Sequence, residues 1–244
     1  LSCSDLHLGI VCPMANEEEN AASLVVEVLD QCKGFKKVSF LIVVDRVSRD
    51  GTIEILQEIA TIHPEIKVIW APENRSVVDA YLRGYKEALQ AGCDWILEMD
   101  AGYSHKPKDM VKFFDTMGLG YDCVFGSRFM RGGEITDFSL FRYGLSRVGG
   151  LTSNVLLGTK LSDMTSGFEL FSHAALVQIL QAGIQSKGHF FQTEIKFHCR
   201  KLNITEVPIS YSSPSPRVNN RVIKDALKNL FRLTSLRLKN KFTR

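Results

Sequence analysis

Five short apolar runs near the start of the chain are almost continuous rather than alternating: Leu8–Pro13, Val38–Asp45, Ile66–Ala71, Asp94–Asp100 and Asp122–Ser127. A strand with one wet face alternates apolar and polar residues, whereas a strand buried on both faces does not. Helical periodicity fills the gaps between the runs, over Glu17–Cys32, Asp50–His63, Val77–Ala91 and Lys108–Met117. Asp50 reads as an N-cap, with Glu54 near the first turn. Strand–helix alternation with short connections implies an α/β fold, a parallel sheet covered by helices. Ligands of such sheets sit outside the carboxyl ends of the strands. Here those ends carry Pro13, Asn16, Glu17, Asp45, Asp100 and the Gly126-Ser127-Arg128 run.

From about Phe138 the pattern changes. A Gly-interrupted amphipathic helix leads to a turn and short strand at "MTSGFELF", then a helix "FFQTEIKFHCRKLN", a strand "ITEVPISY" and a loop "SSPSPRVNN". No linker or repeat is visible, so residues 1–220 read as one domain and 221–244 as a basic amphipathic helical appendage. That appendage holds eight Lys or Arg and one acid, against 22 basic and 26 acidic residues before it. An acidic body argues against a general nucleic-acid binder. No apolar run approaches the ~18 residues that span a bilayer. Leu1–Pro13 has no basic region ahead of its apolar run and does not read as a signal peptide. The six cysteines are scattered without a C-x-x-C pair and read as reduced thiols; neither they nor the histidines have metal-ligand spacing.

Five motifs then carry a resemblance. "CPMANEEEN" is similar to P-x-x-N-E, "VVDRVSRDGT" to V-D-D-x-S-x-D-G-T, and "MDAGYSHKP" to D-A-D-x-[QS]-H-x-P. "GSRFMRGG" resembles G-S-R-[YF]-x-x-G-G, and "SDMTSGFELF" resembles S-D-x-x-S-G-F. In this order, across Leu8–Tyr211, they resemble family 2 glycosyltransferases, nearest the dolichol- or polyprenyl-phosphate mannosyltransferases and their glucosyl relatives. The resemblance implies a GT-A-type, Rossmann-like, mostly parallel sheet. It also implies a hexosyltransferase, inverting at the anomeric carbon, that takes a nucleotide-sugar donor.

A sugar–phosphate bond breaks with charge building on a diphosphate, so a cation positioned there lowers the barrier. Carboxylates at a strand end suit Mg²⁺ or Mn²⁺. In the resemblance Asp100 is the first acid of the pair that serves metal and donor, with Ser104 as a further oxygen. Gly102 replaces the second acid, which leaves the two-carboxylate clamp incomplete. Pro13, Asn16, Glu17 and Asp45 belong to the nucleotide pocket by the same resemblance. Asp45 is suited to accept from a base N–H and Glu17 from ribose hydroxyls. Arg46 stands where the family has an acid, and Ser76 and Val78 where it often has glycines.

Arginine suits bidentate phosphate recognition. The resemblance assigns the acceptor phosphate to Arg128, grouped with Asp100 as catalytic, and to Arg142 and Ser146. It assigns closure over the diphosphate to Arg217 and Arg221. A phosphate monoester acceptor is already anionic and needs little general-base help, whereas a hydroxyl acceptor needs a base. Asp163, which is also grouped with the substrate-binding residues, and Glu194 are the bases the sequence offers; the structural alternatives are a turn former before Ser166-Gly167 for Asp163 and a helix-face charge for Glu194. Two other readings stay open: a family 2 transferase with a hydroxyl acceptor, and a non-catalytic nucleotide- or lipid-binding homologue. The basic tail reads either as a helix at an anionic membrane surface, placing the enzyme at the cytoplasmic membrane face, or as a helix docked on the sheet domain.

Overall fold

A computed structural model of the chain describes residues 3–136, 140–212 and 220–242. Seven strands form the main sheet in the order β3-β2-β1-β4-β7-β5-β8. They are β1 (His7–Pro13), β2 (Lys37–Val44), β3 (Ile66–Trp70), β4 (Trp95–Glu98), β5 (Cys123–Ser127), β7 (Glu169–Ser172) and β8 (Ile204–Pro208). A small second ladder pairs β6 (Glu134–Thr136) with β9 (Ser210–Ser212). The helices are α1 (Ala21–Gln31), α2 (Thr52–Ile62), α3 (Val77–Gln90), α4 (Met110–Phe114), α5 (Leu140–Leu157), α6 (His173–Ala182), α7 (Phe191–Cys199) and α8 (Asn220–Phe242).

The apolar runs do line two cores. Leu8, Ile10 and Cys12 face one side with Phe40, Ile42 and Val44, against α1 and α2. Val11 faces the other with Leu41, Val43 and Ile96, against α3, α6, α7 and α8. Each strand therefore keeps its period of two, but both faces demand apolar residues. Helix α3 seats closely on the sheet: a Cβ at Gly84 would fall 2.3 Å from Val11 Cγ1.

Strands β1 to β4 are parallel, as expected, but β7 runs antiparallel to both β4 and β5. The chain steps outward from β1 to β3, then returns to place β4 on β1's other side. That reversal opens a crevice at the carboxyl ends of β1 and β4, where α/β sheets bind ligands.

Other boundaries moved. Helix α1 starts at Ala21 because residues from Glu17 to Asn20 form a turn, with Asn20 and Ala21 N–H on Glu17 O. Asp50 is not the N-cap of α2; Gly51 holds that position. The stretch read as one helix at Lys108–Met117 is a 3₁₀ turn at Pro107–Asp109 followed by α4. Helix α6 and strand β6 were not foreseen, and the strand read at "ITEVPISY" divides into β8 and β9.

The C-terminal helix is docked. Leu230 and Leu233 enter the second core, Arg232 Nη2 donates to Glu194 at 2.6 Å, and Arg237 Nη1 donates at 2.8 Å to the Val155 and Leu156 carbonyls that end α5. Those carbonyls lack partners within their own helix, and a cationic side chain there also complements the helix dipole.

Candidate active site

At the crevice, the loops after β1 and β2 are tied to each other. Asn16 adopts φ +58, a left-handed conformation that asparagine tolerates. Its Nδ2 donates to Val47 O at 3.1 Å and its Oδ1 accepts from Arg49 N at 3.0 Å. Asp50 accepts from Glu18 N and from both the N–H and hydroxyl of Thr52, and Thr52 Oγ1 accepts from Glu17 N at 2.8 Å. Asn16 and Asp50 thus spend their polar atoms on backbone and fix the loops. Asp45, nearly buried at the end of β2, accepts from Val47 N at 2.8 Å. Pro13 closes β1 beside it, and Arg46 is exposed.

Asp100 follows β4 after one residue, the buried Met99. Tyr81 of α3 donates its hydroxyl to Asp100 Oδ1 at 2.5 Å. On the other side, His105 Nδ1 accepts from Asp100 N at 3.0 Å. The second ring nitrogen of His105 therefore carries the proton, and burial holds the ring's pKa below the ordinary histidine value. That Nε2 has no hydrogen-bond partner among the described residues and stands 3.9 Å from Asp100 Oδ2, on a side chain with no exposure. Between them, Gly102 (φ +67) and Tyr103 (φ +58) make a left-handed turn. Ser104 lies in the same turn, where its carbonyl accepts from Ser212 N at 3.1 Å. The half-buried Glu17 carboxylate lies over Gly102: a Cβ there would meet Glu17 Oε1 at 2.9 Å and Oε2 at 3.2 Å. Burial pushes the Glu17 carboxyl above its usual range, against one long hydrogen bond from Asn20 and with the Asp50 charge adding to the rise. Neither Glu17 nor Asp100 meets a Lys or Arg among the described residues. Glu17 over the glycine and Asp100 two residues before it, neither ion-paired to a Lys or Arg among the described residues, offer hard oxygen donors of the kind a divalent metal takes.

Below Asp100 lies a buried polar network that the sequence did not reveal. Glu98 of β4 and Glu169 of β7 are register partners with no exposure. Lys196 donates to Glu169 and, at 2.7 Å, to Ser166 O; Gln192 donates to Glu98. Burial pushes Glu98 well up, and the facing Glu169 adds to it; burial raises Glu169 to about 7 despite Lys196. Burial and the facing Glu169 bias Glu98 toward its protonated form, and the network supports the floor of the crevice. An acid two residues before Asp100 in an otherwise apolar strand was the available signal.

Arg128, at the end of β5, is 8% exposed and turned inward. Its Nε donates to Asp163 Oδ2 at 2.6 Å, and its Nη2 donates to Asp163 Oδ1 at 2.9 Å and to Thr165 Oγ1 at 2.6 Å. Burial alone would raise the Asp163 pKa, but the Arg128 charge and hydrogen bonds outweigh it and hold the carboxyl below its ordinary value. Glu194 is likewise committed: it accepts from Gln185 N, Ser186 N and Arg232, and is a buried anchor for α8 rather than an exposed helix-face charge. Ser146 stands one turn after Arg142 on α5. The side chains of Arg142 and Arg221, and all of Arg217, lie outside the described residues.

The crevice can be set beside known proteins. The model of "Glycosyl transferase family 2" matches residues 9–180. The polyprenol monophosphomannose synthase of Mycolicibacterium smegmatis is 30% identical over 206 residues, 83% of this chain and 76% of that protein. The undecaprenyl-phosphate mannosyltransferase of Micrococcus luteus is 32% identical over 175 residues, 71% of this chain and 72% of that protein. Glucosyl-3-phosphoglycerate synthase from Mycobacterium tuberculosis, solved with Mg²⁺ and UDP, shares the fold at a TM-score of 0.65 and 16% identity, over 94% of this chain and 80% of that one. Its complex with Mn²⁺ and UDP-glucose gives the same score over 94% and 78%. A family match over most of the chain, on a sheet whose switch point gathers the motif residues, makes this protein a member of glycosyl transferase family 2.

Proposed function

We propose that this glycosyltransferase moves a hexosyl group from a nucleoside-diphosphate sugar to the phosphate of a polyprenyl phosphate. One observation carries the choice of acceptor. Both carboxylates that the sequence offered as bases for a hydroxyl, Asp163 and Glu194, are consumed in buried ion pairs. A phosphate monoester needs no such base. The names of the two mannosyl-transferring relatives support the same reading.

In this reading the donor lies at the carboxyl ends of β1, β2 and β4, with its nucleoside between Pro13 and Asp45. Asp100 and its neighbours hold Mg²⁺ or Mn²⁺, which when bound neutralises charge on the departing diphosphate. Tyr81 and His105 keep Asp100 oriented. The acceptor phosphate sits toward Arg142 and Ser146, and Arg217 and Arg221 belong to the diphosphate side. One acceptor oxygen forms a bond to the anomeric carbon in line. The bond from that carbon to the donor phosphate breaks, and its electron pair leaves with the nucleoside diphosphate, so the centre inverts. Arg128, locked to Asp163, acts by holding the β5 end.

A lipid acceptor also places the enzyme at a membrane surface. No helix among the described residues is long and apolar enough to cross a membrane. However, α5 exposes Val148, Leu151 and Val155, and α8 exposes Leu227 and Phe231, the last at 77%. Lys224 and Lys228 are exposed on the same helix as Leu227 and Phe231. Apolar residues with basic neighbours suit an anionic lipid interface. The deciding experiment offers purified protein GDP- and UDP-sugars with farnesyl phosphate or farnesol. Transfer to the phosphate alone is expected; transfer to the alcohol at equal rate would overturn the acceptor assignment.

A further inference from the structure

We infer that Glu17 supplies the second carboxylate of the metal clamp, replacing across space the acid that Gly102 lacks in sequence. The inference rests on the proposed use of a divalent cation in donor binding. An acid at position 102 would begin at its Cβ, and the Glu17 oxygens lie 2.9 and 3.2 Å from that point. The point from which a residue-102 carboxylate would start is therefore already crowded by another carboxylate. The glycine is what admits it: any side chain at 102 must push Glu17 aside.

Three further features favour a cation at this spot. First, Glu17 is tied to nothing that would hold it elsewhere. Its only side-chain partner among the described residues is Asn20 Nδ2 at 3.4 Å, at the edge of hydrogen-bonding range. Second, its backbone is fixed: Glu17 N donates to Thr52 Oγ1, and Glu17 O accepts from Asn20 and Ala21, so the carboxylate is delivered over the crevice by a rigid turn. Third, Asp100 is prepared for the same task. Tyr81 occupies one side of Oδ1, and the fully buried His105 Nε2, without a hydrogen-bond partner among the described residues, stands 3.9 Å from Oδ2. Donors behind a ligating carboxylate fix its orientation and leave its outward lone pairs for a cation. Magnesium and manganese sites need only one or two carboxylates when substrate phosphate completes the shell, and Asp100 with Glu17 meets that count.

The test measures Mn²⁺ directly, by loss of the free-ion EPR signal, with protein alone and with UDP or GDP present. Glu17→Gln keeps the shape and removes the charge; it should weaken Mn²⁺ binding at least ~10-fold, as for other residues that build metal sites. The stronger arm moves the acid. Glu17→Ala clears the cradle and should lose Mn²⁺ as Glu17→Gln does, and Glu17→Ala/Gly102→Asp should return binding to within about 3-fold of the parent, an allowance of under 1 kcal/mol. Aspartate tolerates the left-handed backbone at 102. Thermal melts of each variant establish folding. Parent-like Mn²⁺ affinity in Glu17→Gln overturns the inference, as does failure of the folded double variant to recover or absence of Mn²⁺ binding in the parent. These readouts do not depend on turnover. Sugar transfer that persists in chelator would leave the acceptor assignment standing while removing this one; Glu17-dependent Mn²⁺ binding without transfer would do the reverse.

Discussion

Asp163→Asn tests whether the Arg128 pair is a structural hub. Asp163 accepts Arg128 N at 3.2 Å, Nε at 2.6 Å and Nη2 at 2.9 Å, plus Thr165 N at 3.1 Å and Oγ1 at 3.2 Å. The side chains are 7% and 0% exposed, so water cannot replace what is lost. Asparagine removes the charge and turns one acceptor into a donor that faces the guanidinium. Two charged hydrogen bonds at roughly 1.5–3 kcal/mol each bracket the cost of about 3–5 kcal/mol for breaking a buried pair. For a chain of this size, about 2–4 °C per kcal/mol converts that to a melting shift of ~6–20 °C. Urea denaturation of both proteins gives the free energy. The pH dependence has a definite sign. Asp163 has a depressed folded pKa, so its contribution is present above the ordinary aspartate value and is lost as pH falls through the lower, folded one. Arg128→Leu/Asp163→Leu should lose less than Asp163→Asn, because no charge is stranded. A loss under about 1 kcal/mol in Asp163→Asn, as for a surface pair, would refute the reasoning and return Arg128 to the acceptor.

Asp100→Asn should cut turnover by ~10²–10³-fold with an unchanged melt; wild-type turnover would remove Asp100 from the site. Glu194 is pushed up by burial but brought down to about 2 by His198, Ser186 and Arg232. Its stabilisation is therefore present above pH ~4.5 and lost as pH falls through about 2, at most about 3 kcal/mol. Glu194→Gln should flatten the stability profile in that acid window and speed hydrogen exchange across α8; an unchanged profile would show that the helix is held by its apolar face alone. Removing α8 would strip Leu230 and Leu233 from the core, so point changes test the membrane surface better. Leu227→Gln/Phe231→Ser should weaken sedimentation with anionic liposomes at least ~10-fold while sparing the fold, since burying each side chain in lipid is worth about 1.5–3 kcal/mol. Binding equal to the parent's would place the interface elsewhere.

The strand runs, the helices between them and the acids at strand ends were legible because burial of a face is written in local periodicity. Helix α6 was legible too and was missed: Ser172 accepts from Ala175 N as its N-cap, and Gly183 ends it at φ +78. The antiparallel β7 was not, since hydrophobic pattern records that a strand is covered but not which way its neighbours run. The same limit applies to the side chains. Motif spacing brought Asp100, Glu17 and Asp163 to attention, yet their partners come from distant positions. Tyr81 reaches Asp100 from α3, Arg128 meets Asp163 across 35 residues, and Arg232 meets Glu194 across 38. The sequence named Gly102 as a missing acid. Only the tertiary structure put a carboxylate from the β1–α1 loop over it, because parallel pairing of β1 with β4 brings two loops together that lie some 85 residues apart along the chain.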